Sequence, residues 1–262
     1  MHIDGRSVFG VNAEVYDAVR PDYPSEWLQE HIRISAAGHS ALDIGCGTGK
    51  LSHALSSLGF DTLGVEPDAR MAAVAAAKGM QVDVTSFERW NPGERSFDVV
   101  ACGQAWHWLD AGSRARRAAQ FLAPHGQLLL VWNMGALSPD ASAALTRIYE
   151  TFTDESPEIA LEEQQQVDAA PDASSIDFDR FIAELRSEGF GGVFQETFPW
   201  QRKYTAREWR QMLSTESGHI SLPHDRLNRL LDSVQECVAG LPGGGVRVDY
   251  ECVLITAVGA RF

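Results

Sequence analysis

The run Leu42-Asp43-Ile44-Gly45-Cys46-Gly47-Thr48-Gly49 constrains this chain more than any other stretch. Residues 41–44 form a short apolar run with one acid, the pattern of a buried strand. Leu51, Ala54, Leu55 and Leu58 then recur at helical spacing up to Gly59, a good helix stop. Three alternating glycines thus join a strand to a helix. Such a turn permits positive φ and lets a ligand approach the backbone closely. A tight connection with no ligand has the same outline.

The spacing separates two kinds of ligand. A dinucleotide fingerprint, G-x-G-x-x-G, sets its last glycine for helix packing over a pyrophosphate. Here the glycines fall at Gly45, Gly47 and Gly49, and Asp43 precedes the first by two. That form suits a ligand without phosphate, such as S-adenosylmethionine. A second acid follows in Leu63-Gly64-Val65-Glu66-Pro67-Asp68, where Glu66 ends a second strand. A carboxylate there can accept hydrogen bonds from both ribose hydroxyls. A solvated strand-end acid is the bland alternative for Glu66 taken alone.

The rest of the chain keeps a βαβ rhythm up to residue 133. Helices are expected at residues 25–34, 51–58, 68–78 and 113–122. Strands are expected at residues 41–44, 62–65, 81–84, 97–102 and 127–132, the last apolar almost throughout as a central parallel strand should be. Beyond it, helices are expected at residues 141–152, 177–188, 206–213 and 225–238, with strands at 193–200 and 246–258. A polar stretch at residues 155–175 reads as a mobile loop or lid. Residues 134–190 carry 13 acids and 3 bases, a net of −10 within a total of −14. The expected organisation is a core over residues 1–133 with an N-terminal lid helix, an acidic helical insertion over 134–190, and remaining strands with a helical cap over 191–262.

These motifs together resemble the class I S-adenosylmethionine-dependent methyltransferases of the type 11 kind, and more narrowly the branch that includes trans-aconitate methyltransferase-like proteins. The likeness covers about residues 8–133. Leu42 to Gly49 matches the glycine-rich motif, Gly64-Val65-Glu66-Pro67-Asp68 the ribose motif, and Phe97-Asp98-Val99-Val100 the fourth strand. Leu122 to Leu130 matches the turn and fifth strand, with His125 in place of the first of two usual glycines. The resemblance implies an α/β, Rossmann-like, doubly wound sheet of seven strands, mostly parallel with an antiparallel last strand, plus a helical cap. It implies cofactor contacts from Asp43, Gly45, Cys46, Gly47, Gly49, Glu66 and Pro67. It places adenine near Ser86, Phe87 and Glu88, and the methionine end near Gln104. From the N-terminal stretch it singles out Tyr16 and Arg20, a guanidinium suited to the cofactor carboxylate. His107 is then the first candidate general base, and His219, in Thr215-Glu216-Ser217-Gly218-His219, the second. Each can equally be a packed or loop histidine.

Composition narrows the partners. A strongly acidic chain lacks the basic face that nucleic acid binding needs. The longest apolar runs are too short to span a bilayer, and residues 1–6 show no signal-peptide pattern, so a cytoplasmic address is expected. Cys46, Cys102, Cys237 and Cys252 form no metal-ligand spacing, so no metal is expected and four reduced thiols are. The expected partner is a small-molecule methyl acceptor, methylated at a carboxylate or hydroxyl oxygen, with the chain a monomer or homodimer. Alternatives are a non-catalytic S-adenosylmethionine-binding regulator, an RNA or protein methyltransferase, and a nicotinamide-dependent oxidoreductase.

Overall fold

The structure is a computed structural model that describes residues 9–32, 39–154 and 176–259. Two compact units account for them. The first comprises Met1–Arg20, Met134–Ser175 and Pro199–Glu251; the second comprises Pro21–Asn133, Ile176–Phe198 and Cys252–Phe262.

The sheet has seven strands: β1 (Ser40–Ile44), β2 (Asp61–Glu66), β3 (Gln81–Val84), β4 (Phe97–Gly103), β5 (Leu122–Leu137), β6 (Gly191–Thr205) and β7 (Gly245–Val258). Their order is β3-β2-β1-β4-β5-β7-β6. β1 pairs in parallel with β2 and β4, β2 with β3, and β4 with β5. β7 runs antiparallel, as expected. The strand order reverses between β1 and β4, the switch point outside whose carboxyl ends ligands bind in such sheets. Leu42, Ile44, Val65, residues 99–102 and residues 128–132 are buried, which explains why these strands read as continuous apolar runs.

In the second unit the helices are α2 (Ser25–His31), α3 (Lys50–Ser57), α4 (Ala69–Ala77), α5 (Arg114–Phe121) and α7 (Phe178–Ser187). Asp68 caps α4 by accepting the Arg70 backbone N–H. Asp177 caps α7 in the same way. The first unit holds α1 (Ala13–Val19), α6 (Pro139–Asp154), α8 (Ala206–Leu213), α9 (Ser217–Ile220) and α10 (His224–Gly240). Its core gathers Val19, Leu145, Trp209, Leu213, Leu231 and Val234 with the buried phenols Tyr204 and Tyr250. None of the described helices is long and apolar enough to cross a membrane.

Three expectations change. A turn was expected at Pro124-His125-Gly126, but these residues lie inside β5, where the ladder slips between Phe97↔Leu122 and Val99↔Gln127. His125 sits there at φ +69°, the left-handed backbone that explains the glycine usual at this position. The boundary expected at residue 190 is not one. α7 belongs with the second unit, because Trp132 stacks on Phe181 at 5.5 Å and meets Phe178 edge-on at 5.2 Å. The acidic stretch is therefore cut at residue 175, and residues 155–175, the expected lid, lie outside the described residues.

A buried ion pair fixes α7. Arg114, with its side chain 3% exposed, donates to both Glu184 oxygens and to the Trp106 carbonyl at 2.7 Å. Its guanidinium also lies over the Trp106 and Phe181 rings. Removing one partner of a buried pair strands the other charge. Arg114→Ala is therefore expected to cost about 3–5 kcal/mol in urea unfolding, and Arg114→Met with Glu184→Leu to recover most of that. A loss below about 1 kcal/mol for Arg114→Ala, the range of an exposed pair, would contradict this account.

Candidate functional site

Within the second unit the glycine turn is ordered by the end of β2. Gly45 and Cys46 both donate their backbone N–H to the Val65 carbonyl, at 2.8 and 3.2 Å. Gly45 has φ +66°, and a Cβ there would stand 2.7 Å from the Ala105 Cβ. Gly47 donates its N–H to Glu66 Oε2 at 2.9 Å, and Asp68 donates its own to Oε1 at 2.9 Å. Glu66 is 6% exposed, and burial holds its carboxyl above the usual carboxylate range. Gly49 is the left-handed residue opening α3. Pro67 lies exposed beside Glu66.

Asp43 is 1% exposed. Its Oδ2 accepts the Ser52 hydroxyl, and Oδ1 has no partner. Burial, with the Glu66 charge nearby, pushes its carboxyl up to about 7. The Thr48 hydroxyl is likewise buried without a partner. Cys46 is buried, and burial raises its thiol.

The residues after β3 divide. Ser86 accepts backbone bonds from Arg89 and Trp90 through its carbonyl. Glu88 Oε1 accepts the Asp110 N–H. Phe87 is 3% exposed and packs edge-on against Phe121 at 5.9 Å, beneath the Arg117 guanidinium. The ring expected to flank adenine is thus buried in the core, between the Phe121 ring and the Arg117 guanidinium.

The loop after β4 is more unusual. Gln104 sits at φ +57° without being glycine, strain of the kind that gathers at ligand sites. Its backbone donates to the Val131 carbonyl and its side-chain amide to the Asn133 carbonyl at 3.0 Å. Asn133 in turn donates to the Asp22 carbonyl. Gly103 faces the Tyr23 hydroxyl, 2.6 Å from where a Cβ would stand. His107 lies in a short 3-10 turn, Trp106–Trp108. The Trp132 indole donates to its Nδ1 at 3.4 Å. Burial, with Arg114 beside it, lowers the His107 imidazole to about 4.

Tyr16, Arg20 and His219 belong to the first unit. Arg20 donates Nε to the Thr215 hydroxyl at 2.9 Å and Nη2 to its carbonyl at 2.8 Å, and stands 5.2 Å from the Tyr16 ring centre. Four residues on, His219 Nε2 meets the Tyr149 hydroxyl at 2.9 Å, and its Nδ1 faces Glu216 at 3.5 Å. Burial lowers the His219 imidazole, and the Arg20 charge adds to that. Sequence reasoning missed Ser52, Tyr23, Asn133, Trp132 and Tyr149. Ser52 had one available signal: a small polar residue on the buried side of α3, one turn past the loop.

Among the described residues no group of three or more His, Cys, Asp or Glu side chains suits a metal ion. The described cysteines are free thiols.

Residues 42–130 match the model of the methyltransferase domain family. A methyltransferase of uncharacterised activity from Mycobacterium tuberculosis is 37% identical over 130 residues, 48% of this chain and 51% of that protein. The chain thus spans about half the length of that curated relative. A ubiquinone biosynthesis O-methyltransferase from Stutzerimonas stutzeri is 33% identical over 110 residues, 39% of this chain and 47% of that protein. Among solved structures, a candidate type II methyltransferase from Anaeromyxobacter dehalogenans superposes with a TM-score of 0.61 at 18% identity, covering 93% of this chain and 99% of that one. A phosphoethanolamine N-methyltransferase from Haemonchus contortus in complex with S-adenosylmethionine gives 0.58 at 15% identity, covering 99% of this chain and 61% of that one. Residues 42–130 thus resemble a methyltransferase domain, and the chain has the seven-stranded fold of those structures.

Proposed function

We propose that this chain is an S-adenosylmethionine-dependent methyltransferase acting on a small molecule at an oxygen. The observation that carries the reading is the glycine turn of the methyltransferase domain, tied by Gly47 to the Glu66 carboxylate at the switch point of the sheet. The residues fit the cofactor on their own chemistry. Asp43 keeps an unpartnered buried oxygen, and each Glu66 oxygen has accepting capacity beyond its one backbone bond. The resemblance to an O-methyltransferase supports oxygen as the acceptor atom.

When bound, the cofactor supplies a methyl group made electrophilic by a sulfonium. The chain's work is then alignment and exclusion of water. We assign Glu66 to the ribose hydroxyls, with Pro67 beside it, and the turn from Gly45 through Cys46 and Gly47 to Gly49 to the backbone-lined cradle. Ser86 and Glu88 are assigned to the adenine edge. Asp43 and Gln104 are assigned to the methionine end. Within the same unit His107 is the side chain assigned to the acceptor.

Three measurements test this reading. Calorimetry should show S-adenosylhomocysteine binding and no binding of a nicotinamide dinucleotide; the reverse preference would overturn the proposal. Glu66→Ala, which removes a charged acceptor for two hydroxyls, should weaken S-adenosylhomocysteine about 10- to 100-fold, and an unchanged Kd would remove Glu66 from the ribose role. Gly45→Ala puts a Cβ on a left-handed backbone and against Ala105. It is expected to destabilise the fold by about 1–3 kcal/mol and to lower affinity for the same ligand. Wild-type stability with wild-type affinity would show the turn to be more pliable than its geometry implies.

A further inference from the structure

Asp43 and Glu66 lie at the ends of adjacent strands, both buried, and the Glu66 charge disfavours a charge on Asp43. Asp43 titrates in the presence of the Glu66 charge from β2, and the thiols of Cys46 in the turn and Cys102 on β4 feel its own charge. From α3 it is met by Ser52 alone, through the hydroxyl and the backbone N–H, both of which favour the charged form but are outweighed by burial. Among the described residues no lysine or arginine donates to either carboxylate; Arg114 reaches only as far as Cys102 electrostatically. A dry carboxyl whose donors come from one neutral residue, with a bare second oxygen and an acidic neighbour, keeps its proton.

We infer that the cofactor pocket is proton-linked: Asp43 holds a proton in the ligand-free protein and gives it to solvent when a ligand bearing positive charge enters beside the glycine turn. The inference rests on the proposed function, since S-adenosylmethionine and S-adenosylhomocysteine both carry an α-ammonium, and the former a sulfonium as well. The step is balanced: the Asp43 O–H bond breaks, the electron pair stays on the carboxylate, the proton goes to buffer, and the ammonium supplies the compensating charge. Asp43 thereby acts as a specificity residue, favouring ligands with the amino-acid end over the bare nucleoside.

Linkage fixes the sign. The ligand-free carboxyl holds its proton up to about pH 7, so expelling it opposes binding more the lower the pH. Affinity for S-adenosylhomocysteine should rise about tenfold per pH unit between pH 5.5 and 6.5 and level off above about 7. Calorimetry of the full chain at pH 6.2, in buffers of different ionisation enthalpy, reads the proton directly. About one proton should be released per S-adenosylmethionine or S-adenosylhomocysteine bound, and about none per adenosine. Asp43→Asn keeps an acceptor for Ser52 and should abolish most of the release and flatten the pH dependence. Binding without proton release overturns the inference, as does equal release by adenosine or by Asp43→Asn. Failure of both cofactor forms to bind at any pH instead overturns the proposed function, and this inference with it.

Discussion

The Glu66 carboxylate is the joint on which the site is built. One oxygen takes the Gly47 N–H of the turn after β1, and the other takes the Asp68 N–H at the start of α4. Bonds of an amide to a charged acceptor contribute about 1.5–3 kcal/mol each, roughly twice a neutral pair. Val65, one residue earlier, holds Gly45 and Cys46 by its carbonyl. The end of β2 therefore shapes the turn that leaves β1, and the parallel register Ile44↔Val65 is what brings the two ends level. A slip of one residue would turn Glu66 to the opposite face and leave the Gly47 N–H without its acceptor.

The same arrangement stores unfavourable energy. Asp43 leaves one buried oxygen unpaired, and Thr48 leaves a hydroxyl so. An unmet buried polar atom costs about 1–3 kcal/mol. A chain under selection for stability alone would replace Asp43 with an apolar residue on so apolar a strand. Its presence there is explained if a ligand offsets the cost. The strained Gln104 backbone, also at a strand end facing the switch point, belongs to the same accounting: local rules fail where a ligand is expected to complete the structure.

Much of the second unit was legible because its signals are local. Apolar runs such as residues 128–132 mark strands buried on both faces, and glycine spacing marks the turn. The acids Asp43 and Glu66 were legible because strand ends at a switch point are where ligand chemistry belongs. What could not be read depends on packing between distant segments. Phe87 has the residue type and place of an adenine-flanking ring, but Phe121 and Arg117, some thirty residues on, pack against it. The helix at residues 177–188 was legible from its own periodicity, whereas the partnership of Arg114 with Glu184 joins residues seventy apart and leaves no local pattern. The slip in β5 was hidden for a related reason: Pro124-His125-Gly126 has turn composition, and only pairing with β4 decides that it is a bulge.

The histidine after β4 shows how a hydrogen bond can specify chemistry that residue type leaves open. An indole N–H can only donate, so Trp132 makes Nδ1 of His107 the acceptor and leaves the ring proton on Nε2. Trp132 itself cannot turn away, because Phe178 and Phe181 pack its ring. Arg114, held by Glu184, adds a positive charge nearby, so a second proton on the imidazole is disfavoured twice, by burial and by charge. At neutral pH the ring is therefore an uncharged donor through Nε2. It can steady an acceptor oxygen that already carries negative charge, as a carboxylate does, without having to remove a proton from it. Removing a proton through Nδ1 would first require the Trp132 bond to break. On the proposed assignment of His107 to the acceptor, the packing of α7 would reach the chemistry through two side chains, and a carboxylate acceptor would make the least demand on this histidine.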